Sequence, residues 1–117
     1  MKYEEIVADL KAGKYAPIYF LSGEESYFLD DIATRIEKNA LTEDEKAFNQ
    51  TILYGNDVSM TTVTDTARRF PMMSQRQVVI VKEAQNIRDF ENLLPYIDHL
   101  QPTTILVVLY KNKKPDK

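Results

Sequence analysis

A chain of 117 residues is long enough to bury one hydrophobic core unaided and too short for two of ordinary size. With 44% apolar residues, 28% charged residues and no cysteine, it reads as a globular domain with neither a disulfide framework nor a thiolate site. Its net charge of −3 excludes a basic body that would track nucleic-acid phosphates by itself, and no apolar run approaches membrane-spanning length.

The opening "MKYEEIVADL" is amphipathic and acidic, unlike a signal peptide. Tyr3, Ile6, Val7 and Leu10 recur at helical spacing and predict a helix over residues 3–12, stopped at Gly13. Pro17 then opens "PIYFL", a first strand. Ser22 and Glu25 fit a capping box for a helix running to about Asn39, with Phe28, Ile32, Ile36 and, behind them, Leu29 on its buried face. The polar "LTEDEKA" reads as a loop or frayed turn, and "FNQTILY" as a second strand closed by Gly55-Asn56-Asp57.

Ser59 is a fair N-cap for a third helix, in which Met60, Val63 and Ala67 keep helical spacing to Phe70 before Pro71 ends it. Its threonines are weak helix formers, so packing must hold it. "QVVIV" is a third strand, continuous and β-branched. A further helix is expected from about Ile87, carried by Phe90, Leu94 and Ile97, with Pro95 kinking it or starting a second piece. "TILVVLY" is the fourth strand. Strands alternate with helices and the last two strands are apolar throughout, which predicts an α/β domain, a parallel sheet with helices on both faces and right-handed crossovers. The closing "YKNKKPDK" reads as a solvated lysine-rich tail, and the expectation is that the chain is a piece of a longer protein.

The stretch "YFLSGEESYFLDD" has the layout of a phosphate-binding loop: apolar strand, glycine turn, helix. A Walker loop needs a second glycine, a lysine and a hydroxyl at set distances from the first glycine. Counted from Gly23, those positions hold Phe28, Leu29 and Asp30. Ser22, Gly23, Glu24 and Glu25 therefore form a degenerate phosphate loop, in which two carboxylates already complement the helix dipole and repel a triphosphate.

Other chemistries find little support. Glu83, beside Lys82 at the end of the third strand, has no phosphate loop to serve as partner for a metal. His99 is the single histidine, so zinc sites and Cys-His pairs are excluded and a Ser-His-Asp triad would rest on a helix end. Asp30 and Asp31 are adjacent on a helix and diverge by about 100°. The seven tyrosines form no basic-aromatic pattern of an RNA-binding sheet. No catalytic residue, metal or cofactor is expected.

The most informative segment is "RRFPMMSQRQVVIVKEA". If Pro71 stops the third helix, Met72 and Met73 fall in a surface connection, where an exposed apolar cluster marks an interaction site. Methionine suits that task because it is flexible and polarisable. Two alternatives stand beside this one: Phe70 and one methionine fold back onto the core, or Phe70 is inside and the methionine pair outside.

At this segment the chain resembles the delta subunit family of bacterial DNA polymerase III, the clamp-loader proteins that open the sliding clamp. "FPMMSQRQVVIVKEAQN", "PIYFLSGEESYFLDD", "FNQTILYGND" and "TILVVLYKNKKPDK" keep the family's order over nearly the whole chain. The resemblance implies an AAA+ ATPase-like (P-loop NTPase-like) fold without a functional Walker A loop, with strand order 1-4-3-2. It implies that residues 1–117 are a single N-terminal domain of a longer subunit, cytoplasmic, not an enzyme itself, in a complex that is a nucleotidyltransferase. The family's clamp-binding apolar pair falls on Met72 and Met73, flanked by Phe70 and Pro71, with Arg68, Arg69 and Arg76 at the rim. The implied partners are the sliding clamp (beta subunit), the other clamp-loader subunits (gamma/tau and delta prime) through parts beyond this chain, and DNA indirectly through the complex. No membrane partner is implied, and an isolated monomer is expected. The competing readings are a nucleotide-binding α/β enzyme with an atypical phosphate loop and a plain structural scaffold.

Overall fold

A computed structural model describes residues 3–23 and 26–111. Helix α1, Tyr3–Lys11, has Glu4 and Glu5 in its first turn and ends where Gly13 takes φ 77°, a conformation that only glycine adopts freely. Strand β1, Ile18–Gly23, leads to α2, Ser26–Asn39. The buried stripe of α2 is Leu29, Ile32, Ala33 and Ile36, at i, i+3, i+4 and i+7. Phe28, expected on that face, sits at its margin, 40% exposed, with its ring 4.7 Å from that of Tyr3 and 5.4 Å from that of Tyr27. Ser22 stands inside β1, opposite Tyr110. It is thus not at the cap of α2, and its expected capping partner Glu25 lies outside the described residues, as do Glu24 and most of the lysine-rich end.

The segment expected to be a loop is a helix, α3, Glu43–Asn49. It has no apolar period to announce it, but Thr42 and Glu45 form a reciprocal capping box. The Glu45 amide donates to the Thr42 hydroxyl at 3.3 Å and the Thr42 amide to the Glu45 carboxylate at 2.9 Å. Strand β2 consequently starts at Gln50, not Phe48, and runs to Tyr54. Helix α4, Met60–Ala67, is capped by the Ser59 hydroxyl, which accepts from Thr62.

Strand β3, Gln77–Lys82, is followed by 3₁₀ turns at Ala84–Asn86 and Phe90–Leu93 and by the short α5, Leu94–Asp98, with Pro95 in its first turn. These turns shift the helical phase, so Ile87, Leu93 and Tyr96 face the core while Leu94 and Ile97, expected inside, are 62% and 42% exposed. Asp89 ties this segment to α4 by accepting from the Met60 amide at 2.8 Å. Strand β4, Thr104–Lys111, completes the sheet.

All pairings are parallel and the order is β1-β4-β3-β2, as expected. Successive side chains of the central strands point to opposite faces, which explains their unbroken apolar runs. Val78, Ile80, Ile105 and Val107 pack under α1 and α2; Val79, Val81, Leu106 and Val108 pack under α4 and the 84–98 segment. The turn after β2 closes tightly on the end of β3, with the Gly55 amide donating to the Lys82 carbonyl at 2.7 Å. A Cβ on Gly55 would lie 1.9 Å from the Glu83 carbonyl oxygen, so this position requires glycine for space.

Candidate partner-binding loop

The connection from α4 to β3 is held at its start by side chains that capture the end of the helix. Buried Gln77, the first residue of β3, donates through Nε2 to the carbonyls of Arg69 (2.9 Å), Thr66 (3.0 Å) and Ala67 (3.3 Å), and to the Thr104 hydroxyl (3.0 Å). Thr104 in turn donates to the Ala67 carbonyl at 2.6 Å, and Gln101 to that of Arg68 at 2.8 Å. These partners satisfy carbonyls that a continuing helix would have used. Within α4, Thr66 donates back to the Thr62 carbonyl at 2.8 Å. The helix therefore ends at Ala67, with Arg68 as its cap, three residues before the expected Phe70.

The middle of the loop is gripped by α3. Asn49, 2% exposed, accepts from the Met72 amide through Oδ1 at 2.7 Å and donates through Nδ2 to the Met72 carbonyl at 2.8 Å. The same Nδ2 also donates to the Glu45 carbonyl at 3.1 Å, which fixes the amide on its own helix. Ser74 donates to the Glu45 carboxylate at 2.9 Å and lies within hydrogen-bond reach of the Arg76 carbonyl and amide. The Thr42 amide, followed by the Ser74 hydroxyl, holds the Glu45 carboxyl below the ordinary range. Between these ties Met73 takes φ 55°, a left-handed conformation that a side chain disfavours by about 1 kcal/mol or more.

On this fixed backbone the apolar side chains point outward. Phe70 is 77% exposed, Met72 61% and Met73 97%, with Pro71 half-buried between them. Neither alternative that put Phe70 or a methionine on the domain's own core describes the structure. The arginines differ among themselves. Arg76 lies over the Tyr15 ring at 4.9 Å from its centroid, Arg68 over the Tyr96 ring at 5.6 Å and 3.9 Å from Asp65, and Arg69 is exposed. Phe48, the penultimate residue of α3, is a further exposed aromatic at 72%; the sequence reading missed it by assigning it to a strand. The signal that finds α3, and with it Asn49 and Phe48, is the Thr42-x-x-Glu45 box.

The degenerate phosphate loop is built differently. Ser22 and Gly23 continue β1 and pair with Tyr110 and Lys111. Leu29 is core, and Asp30 makes an ion pair with Lys111 at 3.1 Å. A lysine thus does stand at the strand ends, but a carboxylate occupies it. Asp31 points elsewhere, accepting from the Tyr3 hydroxyl and from Arg35 at 2.9 Å. Glu83 takes φ 57° and accepts from the Gln85 side chain at 2.7 Å. His99 is exposed just past α5. Among the described residues no group of three or more His, Cys, Asp or Glu is gathered as a metal site, and no helix is long and apolar enough to cross a membrane.

Comparison with known proteins places this geometry in a family. The DNA polymerase III delta subunit model matches residues 19–117. The DNA polymerase III subunit delta of Bacillus subtilis (strain 168) is 27% identical over 97% of the chain, which spans 35% of that protein. The structure of the Bacillus subtilis DNA clamp loader delta protein superposes with a TM-score of 0.82 at 26% identity, over 99% of this chain and 38% of that one. A DNA polymerase III gamma subunit-related protein of Thermotoga maritima shares the fold, with a TM-score of 0.59 at 11% identity over 95% of this chain and 40% of its own. With its parallel 1-4-3-2 sheet of AAA+ type and a match over most of its length, the chain belongs to the DNA polymerase III delta subunit family.

Proposed function

We propose that this chain is the clamp-binding module of a replication clamp loader. Met72 and Met73 enter an apolar pocket on the ring-shaped sliding clamp, the beta subunit, with Phe70 and Pro71 closing around them. The observation that carries this reading is the pair of methionines held outward on a backbone pinned by Asn49 and Gln77, an arrangement the domain's own core does not need. Burying about 200 Å² of apolar surface there contributes on the order of 5 kcal/mol before association costs, enough to anchor an interface and too little to open a tight ring alone. The work is mechanical. A wedge that fits the distorted ring better than the closed one shifts the ring toward opening. Arg68, Arg69 and Arg76 flank the pair and meet acidic groups at the pocket rim.

On this reading the module performs no catalysis and holds no nucleotide or metal. It is the N-terminal domain of a longer cytoplasmic subunit whose remaining parts bind the gamma/tau and delta prime subunits, and DNA is met through the complex. The test is the affinity for the sliding clamp of the same organism, by surface plasmon resonance, of Met72→Ala/Met73→Ala. Two truncated anchors should weaken binding by about a hundred-fold, on roughly 1.4 kcal/mol per decade, with the melting temperature nearly unchanged. Unchanged affinity sinks the proposal, and so does a large loss of thermal stability, which would make the pair core.

A further inference from the structure

Helix α3 carries a buried polar side chain whose partners lie mostly outside the helix. Asn49 is 2% exposed, yet two of its three hydrogen bonds go to the backbone of one residue 23 positions away, Met72. A buried amide that reads both the N–H and the C=O of a single residue fixes the two peptide groups that flank that residue's Cα. One turn earlier on the same helix, Glu45 divides its carboxylate, one oxygen closing the Thr42 cap and the other accepting from Ser74. Met73, between the two grips, is held in a left-handed conformation. Such a conformation persists where its surroundings over-determine it. The chain thus orders a surface loop through buried contacts while leaving its apolar side chains in solvent.

We propose that Asn49, seconded by the Glu45–Ser74 contact, is a positioning residue that keeps Met72 and Met73 in the conformation the partner pocket accepts. This rests on the reading of the loop as the clamp-binding element and adds that α3 is its platform. Without the grip the loop samples other conformers, and apparent affinity falls in proportion to the competent fraction. A loop competent about a tenth of the time binds about ten-fold more weakly.

The experiment is a mutant cycle on the full chain against the sliding clamp, with Asn49→Ala and the pair Met72→Ala/Met73→Ala made separately and together, followed by hydrogen exchange at the Met72 amide in Asn49→Ala. Asn49→Ala should weaken binding about ten-fold and expose the Met72 amide while the β3 and β4 amides stay protected. Because Asn49 acts through the methionines, its loss should cost little where both are truncated and the loop's conformation no longer matters to binding. Equal losses in both backgrounds, or an unmoved Met72 amide, overturn the positioning role and leave the binding loop standing. Unchanged affinity of Met72→Ala/Met73→Ala overturns the binding loop and this inference with it. Should Asn49→Ala fail to fold, Ser74→Ala, at a half-exposed position, runs the same cycle with a smaller loss of the same sign.

Discussion

Gln77→Met tests whether the loop is launched from a side-chain cap. Methionine matches glutamine in length and fills the same buried space, so the change removes the amide with little cavity cost. In the wild type, Nε2 lies within 2.9–3.3 Å of four acceptors, although an amide has two protons to share. After the change the Thr66 carbonyl keeps the Arg69 amide at 3.2 Å, and the Ala67 carbonyl keeps Thr104 at 2.6 Å. The Arg69 carbonyl loses the partner that fixes the first residue of the loop. Two net hydrogen bonds at about 1 kcal/mol each, with some penalty for a partly buried carbonyl, predict a destabilisation of about 2–3 kcal/mol. For a domain of this size the melting temperature should fall by roughly 10 °C. Urea unfolding followed by circular dichroism reads the change as a lower midpoint at unchanged slope. A loss below about 0.5 kcal/mol, within the range of ordinary surface changes, would refute the view that Gln77 closes α4.

Gly55→Ala places a methyl where the Glu83 carbonyl already stands, 1.9 Å away, and should destabilise by about 3 kcal/mol; a neutral result in thermal unfolding would mean that the β2 turn has room to shift. The Arg35 guanidinium, and after it the Tyr3 hydroxyl, hold the Asp31 carboxyl below its ordinary value. Its contribution to stability is therefore complete above the unfolded pKa near ~4 and is lost as pH falls through the lower folded value. Asp31→Asn should flatten the acid limb of the stability profile, and an unchanged limb would count against the pairing. Calorimetry with magnesium-ATP should give no binding heat, whereas heat that disappears on altering Gly23 would restore the nucleotide-binding reading. Phe48→Ser, at a 72% exposed site, should leave the melting temperature within about 2 °C; a larger drop would show that the ring is structural.

Much of this protein was legible in the order of its residues. The period of Tyr3, Ile6 and Leu10, the unbroken "QVVIV" and "TILVVLY" and the alternation of strand with helix determine a covered parallel sheet, because each pattern has one face or two to bury and a single way to do so. The empty Walker positions were equally plain, since they depend on residue identity at fixed spacing. The methionine pair was visible as an anomaly in a surface connection, whereas the side to which Phe70 turns was left open.

What tertiary structure decided lies where signals are local and polar. Helix α3 has no apolar stripe and exists through a capping box, so periodicity passed over it. Phe28, Leu94 and Ile97 are apolar but sit at the margins of their faces, where a shift of phase moves a side chain from core to solvent. The helix that was to reach Phe70 stops at Ala67 because Gln77, Gln101 and Thr104, from β3 and around the start of β4, take the carbonyls at its end. Asn49 meets Met72 only once β2 and β3 are paired, since that ladder brings the end of α3 beside the start of β3. Sequence composes the sheet from nearest-neighbour preferences; the loop's shape comes from hydrogen bonds between elements, 8 positions apart from Gln77 to Arg69 and 23 or more from α3 to Met72 and Ser74, which no local pattern encodes.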